Sequence, residues 1–545
     1  MSDQHDQRST RTPNADGSGR RPSAIWPEAT ATDAEGALTF HGRAAQDLLD
    51  EFGSPLYLID TDEVTTRARH FVRAAADAFS NSTTHVSFAG KAFLSKEIVR
   101  LVTEAGMLVD TCSMGEMRIA LAAGAPGRRL VLHGNNKSDE EISLAVEQGF
   151  AKIVVDEPGE PARIAAIAHR LGKRARVMLR VTSGIHAGGH EYISTAHEDQ
   201  KFGVPLLPAG ADADTLKVLD DLTAVTPAGA NAKMAERAAG RNAARTDGQS
   251  QTPHGRTLRY DVKYPYDLSH EDVSPADRAL AEAMSLVADG PALAVLKDIA
   301  SRSQDLELVG VHSHIGSNIH NADAFIQAAK RMMLLRKTFY ATDAITLPEV
   351  DLGGGYSVAY TDGEDSMDID RELGRLAEAV HAVNRALGMP EPAVSFEPGR
   401  WIVAPAGVTL YRVGVVKPVH LSDGTVRTYV SVDGGMSDNI RPALYGAAYT
   451  ALLANRPGAP ETTLCRVVGM HCESGDIVVH DVQLPADIRR GDVLAVPVTG
   501  AYGRTMASNY NQALIPAVVA VGESGAHVML RRQTVDDLLA LDVSE

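Results

Sequence analysis

In VSFAGKAFLSKEIVRLVTEAGMLVDTCS (Val86 to Ser113) a short apolar run gives way to a segment with apolar residues at helical spacing, which stops at a glycine before a second apolar run. The unit is strand, helix, strand, and it repeats. LVDTCS, LVLHGN and KIVVDE begin at Leu108, Leu130 and Lys152, so the first four runs start 22 residues apart. RVMLRV (from Arg176), LVGVHSHIGS (from Leu308), EVDLGGG (from Glu349) and AVSFEPG (from Ala393) bring the number to eight. Eight strands alternating with helices predict an α/β fold, a (β/α)8 barrel of the TIM type over residues 81–397. In such barrels the chemistry gathers at the C-terminal ends of the strands. Those ends hold Lys91, Ser113, His314, Gly353 to Gly355 and Glu397.

After Glu397 the texture changes. VTLYRVGVVKPVHLSDGTVRTYVSVDGG reads as two strands about an Asp-Gly turn, and LCRVVGMHC, DVLAVPV, PAVVAV and HVMLRRQ are further strand candidates. Residues 398–545 are expected to form a second, mostly antiparallel β domain. The early run PLYLID (Pro55 to Asp60) is expected to join it, within a segment 36–80, so that the barrel is inserted into the β domain. Residues 1–35 are rich in Ser, Thr, Gly, Asp and Arg and read as a disordered tail. Between KFGV (Lys201 to Val204) and the sixth strand run lie roughly a hundred residues, far more than a crossover needs. Residues 206–289 read as an insertion, polar in AGRNAARTDGQSQTPHGR and helical near SPADRALAEAMSLVA.

With 545 residues, 44% of them apolar, the chain can bury a large core. A net charge of −17 gives it no charge-based reason to bind nucleic acid or an anionic membrane. No apolar run approaches the length of a membrane span, and Arg20-Arg21 is followed by no apolar stretch, so no secretion signal is expected. Cys112, Cys465 and Cys472 are odd in number and lack metal-ligand spacing. They fit reduced thiols in the cytoplasm and argue against a disulfide framework or a zinc site.

Lys91 closes a strand of small and apolar residues. Such a lysine either snorkels to the rim or, if desolvated, has a lowered pKa and forms a Schiff base. DLGGGY (Asp351 to Tyr356) is either a tight strand-to-helix turn or a cradle in which backbone N–H groups approach an anion. It lacks the G-x-G-x-x-G spacing of a dinucleotide site. HSHIGS (His312 to Ser317) offers imidazoles at a strand end and a Gly-Ser turn able to donate to phosphate; the alternative is a satisfied core histidine. In FEPGR (Phe396 to Arg400) the carboxylate can hold a pyridinium N–H, and Gly399 and Arg400 can serve phosphate or carboxylate, unless the pair is an ordinary surface ion pair. VVGMHCESGDIVV (Val467 to Val479) places Cys472 between His471 and Glu473, where a free cysteine would ordinarily be a small buried hydrophobe. One cofactor uses all of these parts: a lysine for an imine, a carboxylate for a ring nitrogen, a glycine cradle for a phosphate and a histidine for a ring face. It is pyridoxal 5′-phosphate (PLP).

FAGKAF, GEMRIALAAG, HEYISTAHEDQKFG, GVHSHIGS, DLGGG, FEPGR, SVDGGMSDNIRPALYGA, CESGD and GAY together resemble diaminopimelate decarboxylase, a fold-type III PLP enzyme of the alanine racemase and ornithine decarboxylase superfamily. The resemblance runs from about Leu38 to Val543 apart from the insertion. It implies that Lys91 carries the cofactor and that His314 stacks on its ring. It implies that Ser317, Gly353, Gly354, Gly355, Glu397, Pro398, Gly399, Arg400 and Tyr502 hold PLP, with Glu397 on the pyridine nitrogen. Arg400, Arg441, Tyr445, Glu473 and Tyr502 would bind substrate, and Cys472 would return a proton to Cα. In the family that cysteine comes from the other subunit, which implies a homodimer with shared sites. The implied reaction is decarboxylation of meso-2,6-diaminopimelate to L-lysine. LRVTSGIHAGG (from Leu179) departs from the family's commoner Asn-Pro-Gly run, which bears on loop geometry rather than chemistry. Ornithine, arginine or carboxynorspermidine decarboxylation, alanine racemisation, a silent PLP-binding protein and an oligomeric scaffold are the competing readings. Arg441 beside Tyr445, with Glu473 after Cys472, favours diaminopimelate over them, because its far ammonium needs a carboxylate and its far carboxylate an arginine.

Overall fold

The computed structural model describes residues 21–185, 200–224 and 274–544. Expectations for residues 1–20, for HEYISTAHED and for the middle of the insertion lie outside the described residues.

A strand β1 (Leu56–Asp60) precedes eight barrel strands: β2 (Thr84–Ala89), β3 (Leu108–Thr111), β4 (Leu130–Leu132), β5 (Lys152–Val155), β6 (Ala175–Thr182), β7 (Leu306–His312), β8 (Glu349–Asp351) and β9 (Ala393–Phe396). All eight pair in parallel in chain order, and β9 pairs with β2, which closes the barrel. The sequence repeat has a local cause. Three successive helices, Lys96–Glu104, Met114–Ala122 and Asp139–Gln148, open with a serine whose hydroxyl accepts an N–H of the first turn: Ser95, Ser113 and Ser138. Ser138 completes a capping box with Glu141, and that helix ends at Gly149 in the left-handed conformation, φ +65°.

The chain leaves β9 through a short helix, Arg400–Val403, and enters the second sheet without adding an eighth barrel helix. Helix Thr61–Ala78 fills that place, packing against Lys96–Glu104 on one side and Ile369–Leu387 on the other. Asp60 caps it through Asp62 and Glu63 N–H groups. The segment 36–80 is therefore divided: its strand lies in the second sheet and its helix on the barrel. The second sheet runs β13 (Ile477–Pro485), β12 (Thr462–Val468), β11 (Val426–Val432), β10 (Gly407–His420), β1, β15 (Ala517–Gly522), β16 (Gly525–Leu530), with β14 (Val493–Pro497) also paired to β10. It is mostly antiparallel; β11 with β12 and β1 with β15 are the parallel pairs.

Residues 21–35 correct the reading of a tail that reaches residue 35. Ile25 and Trp26 are buried, and Thr30–Thr32 pairs with Leu38–Phe40. Two large apolar residues suffice to fasten a segment whose mean composition is polar. Among the described residues no single helix is long and apolar enough to cross a membrane. The pair Pro275–Ala288 and Pro291–Ser301 meets that test only jointly, across a 64° bend, and buries Leu280, Met284, Leu293 and Leu296 in the fold.

Candidate active site

The barrel's C-terminal strand ends open into one cavity of about 870 Å³. Lys91 sits in the one-turn helix Gly90–Ala92 directly after β2, with its side chain exposed to that cavity. Of the two readings the sequence left open, a desolvated lysine and one that reaches the rim, the exposed side chain matches the second. Gly90 is required here, because a Cβ would stand 2.6 Å from the Asp110 carbonyl of the neighbouring strand.

On the neighbouring strand, Glu397 directly follows β9 in a buried position. Its Oε1 lies 3.1 Å from Nε2 of both His133 and His312, and His133 lies 3.6 Å from Asp110. Both imidazoles press a ring nitrogen against the carboxylate without the alignment of an ideal hydrogen bond. Burial alone would raise the Glu397 carboxyl, but the two imidazoles outweigh it and hold the acid well below the usual carboxylate range. Burial likewise opposes charge on His133, yet Glu397 and Asp110 lift its imidazole to about 10. Asp110 is itself raised to about 6, by burial and then by the Glu397 charge. His314 is pushed well below its ordinary value by burial and by Lys91 and Arg180, which leaves a neutral imidazole on the cavity wall.

Ser317 lines the cavity, whereas Gly353, Gly354, Gly355, Pro398 and Gly399 pack behind its wall. The glycines let two turns interlock. A Cβ on Gly354 would stand 2.3 Å from the Glu397 carbonyl, and one on Gly355 2.4 Å from the Gly316 carbonyl. The Gly354 N–H points at His314 Nδ1, 3.3 Å away, and the Gly353 N–H donates to Asp351. The mouth is built by the second sheet. Tyr502 lines the cavity and donates its N–H to the Ala92 carbonyl, beside the Lys91 turn. Arg400 donates to the Tyr360 hydroxyl and lies 4.8 Å from the Tyr502 ring centre. Arg441 is 7% exposed, donates to the Tyr449 hydroxyl at 2.5 Å and lies 4.6 Å over the Tyr360 ring. Among the described residues neither arginine has a carboxylate partner, so two guanidinium groups at the mouth stand ready for an anionic ligand. Tyr445 lines the cavity at its exposed rim.

These features agree with what known proteins show. Residues 63–226 and 289–404 match the family of pyridoxal-dependent decarboxylases, pyridoxal binding domain. The diaminopimelate decarboxylase of Corynebacterium efficiens is 38% identical over 532 residues, covering 98% of this chain and 97% of that one. This chain belongs to the diaminopimelate decarboxylase family. The diaminopimelate decarboxylase of Bacillus subtilis is 33% identical, covering 93% of this chain and 95% of its own. The solved structure of the Helicobacter pylori diaminopimelate decarboxylase in complex with L-lysine is 27% identical, with a TM-score of 0.66, covering 91% of this chain and 98% of that one. The protein is thus a fold-type III decarboxylase whose cofactor is PLP. The cavity fits that group: its lining holds an amine, an ionised buried carboxylate and a neutral imidazole, and behind it lie glycine turns that no side chain can fill.

Within this family member, two predicted residues are missing from the cavity of their own chain. Cys472 and Glu473 lie exposed in the loop between β12 and β13, and neither lines the cavity. Sequence reasoning in turn passed over Asp110, His133, Arg180 and Tyr360, which do line it. The first three are polar side chains at or just after the ends of strand runs, the same signal that singled out Lys91 and Glu397.

Proposed function

We propose that this protein decarboxylates meso-2,6-diaminopimelate to L-lysine and CO2, as a homodimer whose two sites are each completed by the other subunit. When bound, PLP supplies an aldehyde for the substrate amine and a ring that takes up the electron pair left behind as CO2 departs. Lys91 holds the cofactor and yields its place to the substrate amine. Glu397, kept ionised by His133 and His312, faces the ring nitrogen and holds its proton there. His314, uncharged, packs on the ring face. Ser317 and the turns Gly353–Gly355 and Glu397–Arg400 receive the phosphate, the N–H groups of Gly353, Gly354 and Glu397 being taken by Asp351, His314 and the Gly353 carbonyl. Arg400 and Arg441 grip the substrate carboxylate that is retained, with Tyr445 and Tyr502 beside them. Cys472 of the partner subunit returns a proton to Cα, and Glu473 of the partner subunit takes the distal ammonium.

The observation that carries this reading is the pair of arginines without carboxylate partners at the mouth of a cavity that holds Lys91 and Glu397. A site built to pair both ends of a long amino acid rejects a shorter one, which leaves its buried groups unpaired. The three free cysteines support a reducing, cytoplasmic setting. CO2 release from meso-diaminopimelate, its LL isomer, ornithine and arginine by the PLP-loaded protein tests the reading. Turnover of the meso compound at least a hundredfold above the others is expected; preference for ornithine or arginine would overturn it.

A further inference from the structure

We propose that Asp476 is a positioning residue that ties this chain's own substrate arginine to the proton donor it lends to the other subunit. The inference rests on the shared-site reading above. Asp476 is only 3% exposed and stands between two loops. Its Oδ1 accepts the Met436 N–H at 2.6 Å, and its Oδ2 accepts the His471 N–H at 2.8 Å. Met436 belongs to the turn after β11 that leads into Arg441, the first residue of helix Arg441–Tyr445. His471 belongs to the turn after β12 that carries Cys472 and Glu473.

The junction is fitted around the carboxylate. A Cβ on Gly435 would stand 2.5 Å from Asp476 Oδ1, and one on Gly469 would stand 2.2 Å from Asp476 Oδ2 and 2.5 Å from Gly435 Cα. Glycine at both positions lets the two loops close on a single side chain. Further bonds cross the same gap. The Met470 N–H donates to the Gly434 carbonyl at 3.0 Å, and His471 Nε2 lies 2.8 Å from the Ser437 hydroxyl. The other His471 nitrogen lies 3.1 Å from Asn511 Oδ1. Cys472 is therefore flanked by His471, whose N–H and ring are both bonded, and by Glu473, whose carbonyl accepts the Asp476 N–H at 3.1 Å. A carboxylate accepts on both oxygens; an amide turns one of them into a donor facing an N–H. Asp476→Asn thus breaks one link while keeping shape.

The arginine serves this chain's cavity and the cysteine serves the other, so one side chain sets the geometry of both sites. Hybrid dimers separate the two effects. Lys91→Ala chains mixed with Cys472→Ala chains form hybrids with one complete site, which recovers about a quarter of the wild-type rate. Asp476→Asn placed in the Lys91→Ala chain reaches that site only through the Cys472 loop, and is expected to lower kcat about tenfold or more. Placed in the Cys472→Ala chain it reaches the site only through Arg441, and is expected to raise KM for meso-diaminopimelate about tenfold or more. PLP content, read by absorbance, and hybrid yield stay unchanged in both. Ser437→Ala, which removes only the hydroxyl–imidazole link, gives the same two-armed pattern in weaker form and decides the matter if Asp476→Asn does not fold. An effect confined to one arm, or absent from both, overturns the proposal. Failure of the parent mixture to recover activity overturns the shared-site reading beneath it.

Discussion

Arg441 is the residue whose cost is most plainly a functional one. A nearly buried guanidinium with hydroxyl and aromatic neighbours but no described carboxylate is expensive to desolvate. Burial opposes its charge, and the phenol groups of Tyr449 and Tyr360 favour it enough to hold its pKa above the ordinary arginine value. Replacing it by methionine of similar length removes the charge and keeps the bulk. The expected outcome is a melting temperature equal to or above wild type, with kcat/KM for meso-diaminopimelate lowered about a hundredfold or more, since a lost charged hydrogen-bond pair costs about 2–5 kcal/mol. A melting temperature that falls together with activity would make Arg441 a structural residue. At this scale the sequence was readable where a polar side chain ends a strand run, as Lys91, His314 and Glu397 do. His133 ends its run in the same way, but what makes it matter is the 3.1 Å approach to Glu397, which follows a strand five later in chain order and only three away around the closed barrel. Tyr360 and Tyr449 lie in no periodic segment, so nothing local distinguished them.

Among the elements, the turn after β11 carries a second buried acid. Asp438 accepts from the Tyr411 hydroxyl and from the Gly435 N–H, and its own carbonyl accepts from Tyr57. Burial lifts its carboxyl to about 7, well above the unfolded value near 3.8. Between those two values the folded chain holds a proton that the unfolded chain has released. The stability that Asp438 contributes is therefore complete below about pH 4 and is lost as pH rises through 7. Asp438→Asn, permanently neutral, has no such slope. Thermal melts of the two proteins from pH 4 to pH 9 are expected to show wild type losing ground to the variant up to about pH 7, by a few kcal/mol in all, and running parallel to it above that; curves parallel throughout would contradict the assignment. The early barrel elements were legible from sequence because three successive helices each open on a serine cap and stop close to a glycine. The helix Thr61–Ala78 was not assignable in that way. Its place on the barrel follows from the chain's departure after β9, which leaves a gap that no local pattern records.

For the whole molecule, the decisive fact is the separation of Cys472 and Glu473 from the cavity of their own chain. If each site borrows them, activity belongs to the dimer and not to the chain. Specific activity measured on dilution is expected to fall in step with the dimer fraction followed by sedimentation or light scattering, with PLP in excess throughout. Constant specific activity across the dissociation range would mean that one chain is sufficient. The two-domain plan was visible in the change of texture after Glu397, while the fastening of residues 21–35 was hidden by averaging Ile25 and Trp26 into a polar stretch. The account as a whole depends on the cofactor's point of attachment, and the most direct measurement is to reduce the PLP-loaded protein with borohydride, digest it and map the labelled peptide. The label is predicted on Lys91; a label on any other residue, or none, would contradict the account.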